Sequence, residues 1–142
     1  MNTLQHTQIK GLFDAPIELP SLIDEIPLGI VVLDTQRRIV LINRAFEALS
    51  GFSMEDARGI PCFHIMRTKL CMQKCPLKKM DSNSGSISLE SDMINKERQL
   101  IPVLIHLSPI RGVAGNLAGF LETVEDLRPF KEVDSKTTHA YA

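Results

Sequence analysis

The stretch that decides the fold is residues 28–51, LGIVVLDTQRRIVLINRAFEALSG. It holds two short β-branched runs, residues 28–34 and 39–42, separated by polar residues, which is typical of a β-hairpin. Asn43 stands just before a run of helix formers, and Gly51 follows that run. An asparagine side chain can accept a hydrogen bond from a free amide at a helix start, and glycine readily adopts the left-handed conformation at a helix end. We therefore expect one short helix between Asn43 and Gly51.

The segment after this helix is predicted to contain several more short helices. Ser53 and Asp56 have the spacing of a capping box, and residues 62–80 contain good helix formers interrupted by Pro76. Strand patterns then return in three runs, at residues 86–94, 100–107 and 117–124. The order β-β, short helices, β-β-β predicts an α+β fold, in which a five-stranded antiparallel sheet carries short helices on one face.

The run 100–107 has two features that bear on its place in the sheet. Period-two alternation puts three apolar residues on one face, namely Val103, Ile105 and Leu107. Pro102 and Pro109 lie near the ends of the run, and an edge or outer strand tolerates proline better than a central one. We expect this strand to lie towards the outside of the sheet.

Residues 22–127 resemble the PAS superfamily. The segments that carry the resemblance are IPLGIVVLD at 26–34, IVLINRAFE at 39–47 and SGFSMEDARG at 50–59. In this order they are similar to the first two PAS strands, to the asparagine that starts the next helix, and to the glycine-bounded segment that follows. The resemblance implies the PAS-like sheet with helices on one face, and a sensory or regulatory role.

The last predicted strand also resembles the end of a PAS domain. GFLETVEDL at 119–127 is similar to the final strand and its acidic exit motif, although Arg128 and Pro129 stand where Ser or Thr usually follows. PAS modules commonly transmit their state through flanking helices and work as dimers. The resemblance therefore implies a homodimer that signals through its ends.

The chain is predicted to have three parts. Residues 1–21 are an extension that forms one helix or a dimer contact, residues 22–127 are the PAS sensory domain, and residues 128–142 are the start of a signalling helix and a linker. The tail 135–142 resembles the lead into the AAA+ ATPase domain of enhancer-dependent bacterial transcriptional activators, and a histidine kinase linker is similar. We expect a covalently linked output domain, either an AAA+ ATPase or a kinase.

The charge balance and composition exclude several classes of function. Sixteen basic and seventeen acidic side chains nearly cancel, and no long run of Lys and Arg is present, which argues against direct nucleic-acid binding. No apolar run is long enough to cross a bilayer, and residues 1–21 lack the features of an export signal. We expect a cytoplasmic protein without membrane contact. Because no catalytic motif is recognisable, we also expect that it is not an enzyme.

Three cysteines form the unusual feature of the sequence. Cys62 is followed by His64, and Cys71 and Cys75 precede Pro76. In a reducing compartment such cysteines are thiols or metal ligands rather than a disulfide framework. Soft thiolates select zinc, copper(I) or an iron–sulfur cluster. The triplet also resembles a cysteine-bearing subset of PAS domains found in bacterial regulators, a resemblance that does not identify what the cysteines bind.

The spacing makes Cys62, Cys71 and Cys75 candidate metal ligands, with His64 as a further cofactor-binding residue. Cys71 and Cys75 are four residues apart, so on a helix their thiols would share one face. The pattern C-x8-C-x3-C is not a standard zinc or ferredoxin spacing, and the fourth ligand would be His64, a carboxylate such as Asp81, or a group from a second subunit. The candidate cofactor is an iron–sulfur cluster or another soft metal.

Other interpretations of the sequence stay open. The thiols can be small buried core residues, since free cysteine is among the most buried residue types. A thiol enzyme would have to use Cys62 and His64, which do not face each other on a helix because they are two residues apart. The domain can also be a dimerisation module without a cofactor, or the small-molecule sensor of a histidine kinase.

Overall fold

The computed structural model describes residues 7–130. Its main sheet has six antiparallel strands in the order β4-β3-β8-β7-β6-β5. The strands are β3 Gly29–Leu33, β4 Ile39–Ile42, β5 Arg67–Thr68, β6 Ile87–Ile94, β7 Leu100–Arg111 and β8 Leu117–Asp126. The predicted α+β class and the predicted antiparallel strands are confirmed, and the two-residue strand β5 extends the sheet at one edge.

A helical layer packs on one face of this sheet. It consists of α2 Arg44–Ser50, α3 Met54–Ala57, α4 Cys62–Ile65, α5 Lys69–Gln73 and a 3₁₀ helix, Pro76–Lys79. The core between the two layers combines buried residues of the helical layer with buried residues of the sheet, among them Phe46, Ile65, Leu77, Val31, Val103 and Phe120. The sheet and the helical layer therefore share one apolar interior.

Asn43 joins the first hairpin to the helical layer. Its side-chain oxygen accepts hydrogen bonds from the amides of Ile30 at 2.8 Å and Phe46 at 3.1 Å. Its amide nitrogen donates to the carbonyls of Ile23 and Leu28, both at 2.9 Å. The predicted N-cap of α2 is confirmed, and so is the left-handed Gly51, whose φ is 82°.

Residues 62–80 form several short elements, as the sequence predicted, and one of the breaks between them falls between Cys71 and Cys75. The helix α5 ends at Gln73, Lys74 is extended, and Cys75 precedes the 3₁₀ helix that Pro76 begins. Proline lacks the amide that a continuing α-helix requires, so the helix has to end before it. The prediction that Cys71 and Cys75 share one helix face is therefore wrong.

The two prolines of β7 lie in a strand that is central to the sheet. Pro102 pairs with β6, and the pairing of β7 with β8 begins one residue later, at Val103. Pro109 pairs with β8, and the pairing of β7 with β6 has already ended at Leu107. Each proline therefore lies where β7 has only one neighbouring strand. The expected outer position holds for the two ends of the strand but not for the strand as a whole.

The two ends of the chain are described only in part. Residues 8–18 contain a small antiparallel sheet of two strands, β1 Gln8–Ile9 and β2 Ile17–Glu18. A helix was one of the two structures expected for the extension, and these residues do not form it. The helix α1 Leu19–Asp24 follows. Residues 128–130 are helical. The tail 135–142, on which the resemblance to an AAA+ lead depends, lies outside the described residues, and the division into three parts stays a prediction.

Between residues 7 and 130, no helix is long and apolar enough to cross a membrane.

Candidate functional site

A cavity of about 260 Å³ lies between the helical layer and strands β6, β7 and β8. Most of its lining surface is apolar, and the apolar residues are Phe63, Met66, Leu70, Pro76, Leu77, Leu89, Ile105 and Leu107. Its polar lining consists of Arg37, Thr68, Lys78, Glu122 and the three cysteines. Since all three cysteines of the chain line it, we call it the thiol cavity.

The three cysteines reach the thiol cavity from different elements. Cys62 begins α4, Cys71 lies in α5, and Cys75 precedes the 3₁₀ helix. All three are free thiols; Cys62 is buried, and the other two are half-buried. The breaks in the helical layer bring together residues that a single helix would have distributed differently.

His64 is not among the residues that line the thiol cavity. It is exposed, and its ring lies 4.3 Å from the ring of Phe63, centroid to centroid. Of the four residues predicted to bind a cofactor, the structure therefore brings Cys62, Cys71 and Cys75 to one place and leaves His64 on the surface.

Glu122 is a residue of the site that was not predicted from the sequence. It lies in the middle of β8, opposite Val31 of β3 and Leu107 of β7, and only 3% of its surface is exposed. Its two carboxylate oxygens lie 3.7 and 3.9 Å from Sγ of Cys62. The signal was present in the sequence, because alternation along β8 puts residue 122 on the same face as the buried Phe120 and Val124.

Burial controls the protonation of the Glu122–Cys62 pair. Removal from water raises the pKa of Glu122 to about 7, and the hydrogen bond from Cys62 opposes this rise. Burial also raises the pKa of the Cys62 thiol well above its ordinary value, and the charges of Glu122, Cys71 and Cys75 add to the effect. At neutral pH the thiol keeps its proton, while the carboxyl group lies close to its point of half-ionisation.

Cys71 is held by its own set of hydrogen bonds. Its thiol donates to the carbonyl oxygen of Met66 at 2.7 Å, and the hydroxyl of Thr68 donates to Sγ at 3.4 Å. Burial raises the pKa of Cys71, and the bonds to Thr68 act in the opposite direction. Cys71 is therefore also a protonated thiol at neutral pH, which makes it a poor nucleophile until its proton is removed.

The cysteines do not form a ready-made metal centre. Across residues 7–130, no group of three or more His, Cys, Asp or Glu side chains is placed so that it could hold a metal ion. Metal binding would need the thiols to lose their protons and to move towards one another. The assignment of Cys62, Cys71 and Cys75 as metal ligands stays a prediction.

Comparison with known proteins gives consistent results for the fold. A family model described as a PAS domain matches residues 27–129. The PAS domain of a protein from Colwellia psychrerythraea is similar in structure, with a TM-score of 0.63 and 24% sequence identity, over 75% of this chain and 91% of that chain. A search of curated proteins finds no match.

Two further solved structures are similar to this chain. The PAS domain of an HTR-like protein from Haloarcula marismortui has a TM-score of 0.63 and 20% identity, over 76% of this chain and 88% of that chain. The PAS domain of nitrogen regulation protein NR(II) from Vibrio parahaemolyticus has a TM-score of 0.59 and 19% identity, over 78% of this chain and 99% of that chain. At these identities the likeness shows the architecture alone.

Proposed function

This chain belongs to the PAS domain family, and from that membership we propose that it is a cytoplasmic sensory module whose thiol cavity receives a redox or soft-metal signal. The observation that carries the proposal is that Cys62 of α4, Cys71 of α5 and Cys75, just before the 3₁₀ helix, all line one cavity. Thiols that share a cavity can be oxidised together or can bind one soft ion.

The neighbouring carboxyl group gives this chemistry a route for the proton. A thiol must become a thiolate before it attacks an oxidant or binds a metal. Glu122 accepts the hydrogen bond of the Cys62 thiol, so in its ionised form it is placed to take up that proton as the sulfur reacts. With hydrogen peroxide as the oxidant, two thiols would become one disulfide while the peroxide is reduced to two water molecules.

The signal would leave the domain along β8. Glu122 lies on the strand that ends at Asp126, and Asp126 forms an ion pair with Arg128 at 2.7 Å where the chain leaves the sheet. In the proposed scheme, a change in the thiol cavity alters this exit. The module acts as a homodimer and controls a covalently linked output domain, an AAA+ ATPase or a kinase, without itself contacting nucleic acid or a membrane.

The test is a chemical titration of the full chain, purified without oxygen. We expect one of two results. The purified chain retains a metal, either zinc or iron with sulfide, or one equivalent of hydrogen peroxide lowers its intact mass by two hydrogens. Replacing each cysteine in turn by serine identifies the reacting pair or the ligands, because at least two of the three variants should lose the effect. An unchanged mass together with a metal-free preparation would overturn the proposal.

The apolar wall supports a second candidate function, the binding of a small molecule. Ligand sites are typically mostly apolar clefts with a few convergent polar groups, and the thiol cavity has that composition. A small-molecule sensor of a histidine kinase would use the same cavity, with the thiols as part of its wall.

A further inference from the structure

Glu122 is a buried carboxyl group, and in its ionised form it has little around it to compensate its charge. Among residues 7–130, its only hydrogen-bond partner is the Cys62 thiol, and it takes part in no ion pair. Arg37 and Lys78 line the same cavity, but neither bonds to it. A carboxylate has room for about four hydrogen bonds, so most of its accepting capacity is unused.

Such a group has a physical need for donors. An ionised carboxylate that is removed from water without partners is costly, and buried polar groups in folded proteins almost always find partners. A thiol is a weak donor, and the sulfur–oxygen distances here are 3.7 and 3.9 Å. The carboxylate lines a cavity, so a molecule inside that cavity can supply the missing donors.

The cavity restricts the size and polarity of that molecule. Its volume of about 260 Å³ lies slightly below the usual range of roughly 300–1,000 Å³ for ligand pockets, which favours a compound of about one ring. Its wall is largely aliphatic, which favours an apolar body. Phe63 and Lys78 are both exposed as well as lining the cavity, so the cavity reaches the surface.

We propose that the thiol cavity binds a compact, largely apolar molecule with a basic nitrogen, whose N–H groups donate to the Glu122 carboxylate. A cationic nitrogen is favoured over a neutral donor because charge-assisted hydrogen bonds are about twice as strong and because the cation balances the buried charge. A planar group with two N–H bonds fits best, since it can pair with both carboxylate oxygens. The proposal rests on the proposed function for the signalling role of the cavity, but not for the binding itself.

The experiment compares three probes of nearly equal shape, titrated separately into the reduced full chain. Benzamidine is cationic and carries paired N–H groups, benzamide is its neutral counterpart, and benzoate is anionic. Affinities are measured from amide and methyl chemical shifts in NMR spectra. The variant E122Q keeps the size of the side chain and removes its charge. The control E125Q makes the same change three residues further along β8, on the other face of the sheet.

We expect benzamidine to bind at least about tenfold more tightly than benzamide, and benzoate to bind least. E122Q should abolish this preference, E125Q should retain it, and the shifts should map to the residues of the thiol cavity. Equal affinities for benzamidine and benzamide, a preference for benzoate through Arg37 and Lys78, an undiminished preference in E122Q, or no binding of any probe at millimolar concentration would each overturn the proposal.

The two proposals can fail separately. The oxidant and metal titrations detect the thiols, whereas the probe titration is made on reduced, metal-free protein and detects the carboxylate. If oxidation and metals leave the chain unchanged while benzamidine remains selective, the signalling proposal fails and the binding site stands. The opposite pair of results would remove the binding site alone.

Discussion

Asn43 and Glu122 are both buried polar residues, and their surroundings differ. Asn43 is wholly buried, and both ends of its amide are hydrogen-bonded to backbone groups, so its role is to hold the first hairpin against the helical layer. Within residues 7–130, Glu122 has one weak hydrogen-bond partner, and it lines a cavity. A buried polar group that is fully bonded is structural, whereas one that lacks partners and borders open space indicates function.

The buried carboxyl group should make the stability of the domain depend on pH. The pKa of Glu122 is raised from 4.5 to about 7 in the folded chain. Between these values the folded state binds more protons than the unfolded state, so the free energy of unfolding falls as pH rises and levels off above about pH 7. The free energy of unfolding should fall by at most about 3 kcal/mol over this range. The variant E122Q should show little of this fall, because its side chain does not titrate.

This dependence is measured by urea unfolding at about pH 5 and about pH 8. The other titratable or charged groups that line the cavity are Cys62, Cys71, Cys75, Arg37 and Lys78. The variant E125Q should keep the slope of the wild-type chain. If E122Q shows the same pH slope as the wild-type chain, the carboxyl group does not carry the effect.

The sequence predicted one of these two residues and not the other, for a physical reason. The cap at Asn43 is a local signal, since it depends on residues within one helical turn. The position of Glu122 beside Cys62 depends on the packing of β8 against α4, which are far apart in the chain. Alternation along β8 could have placed Glu122 on the buried face, but it could not have shown which thiol would lie beside it.

At the scale of elements, strands were easier to predict than the helical segment around the cysteines. The strands alternate regularly and are long enough for the pattern to be clear. Between residues 62 and 80 the chain forms four elements of two to five residues, each set by a local break such as Thr68, Lys74 or Pro76. Elements this short contain too few residues to show a hydrophobic period, so the sequence does not reveal where one ends and the next begins. The three cysteines of the candidate site were nevertheless named from the sequence.

The close approach of β3 and β8 depends on Gly119. A Cβ atom at this position would overlap the carbonyl oxygen of Leu33, which is a backbone atom and cannot move away without disturbing the ladder. The substitution G119A should therefore lower the free energy of unfolding by about 2 kcal/mol. The matched control is G85A, because a Cβ atom at Gly85 would meet no atom within 4 Å. Denaturant unfolding should show a clear loss for G119A and a change within about 0.5 kcal/mol for G85A; equal effects would contradict the steric argument.

At the scale of the whole molecule, the N-terminal extension is where self-association should be tested. In the described part of the extension, residues 7–21, the apolar side chains of Leu12 and Phe13 are exposed, with 79% and 55% of their surfaces accessible. We expect the full chain to dimerise and expect removal of residues 1–20 to weaken the dimer, because burial of apolar surface drives association. Sedimentation velocity over a range of concentrations measures the change.

A double substitution of Leu12 and Phe13 by serine keeps the length of the extension and separates the role of its apolar side chains from that of its backbone. We expect it to weaken the dimer in the same direction as the deletion. Chains that remain monomeric at all concentrations, or a dimer that neither change affects, would show that association does not use the extension.

The place of β8 in the sheet has a consequence for how the protein is made. Among the strands that the structure describes, β8 is synthesised last. In the sheet, however, it lies between β7 and β3, the first strand of the main sheet. Until it leaves the ribosome, the β3–β4 hairpin and the β6–β7 hairpin have no strand in common. Pairings so distant in sequence form slowly, whereas each hairpin can form early. The interior of the domain, including the thiol cavity, is therefore closed only by the final strand, and a chain interrupted before it would be left with two unconnected hairpins and exposed apolar faces.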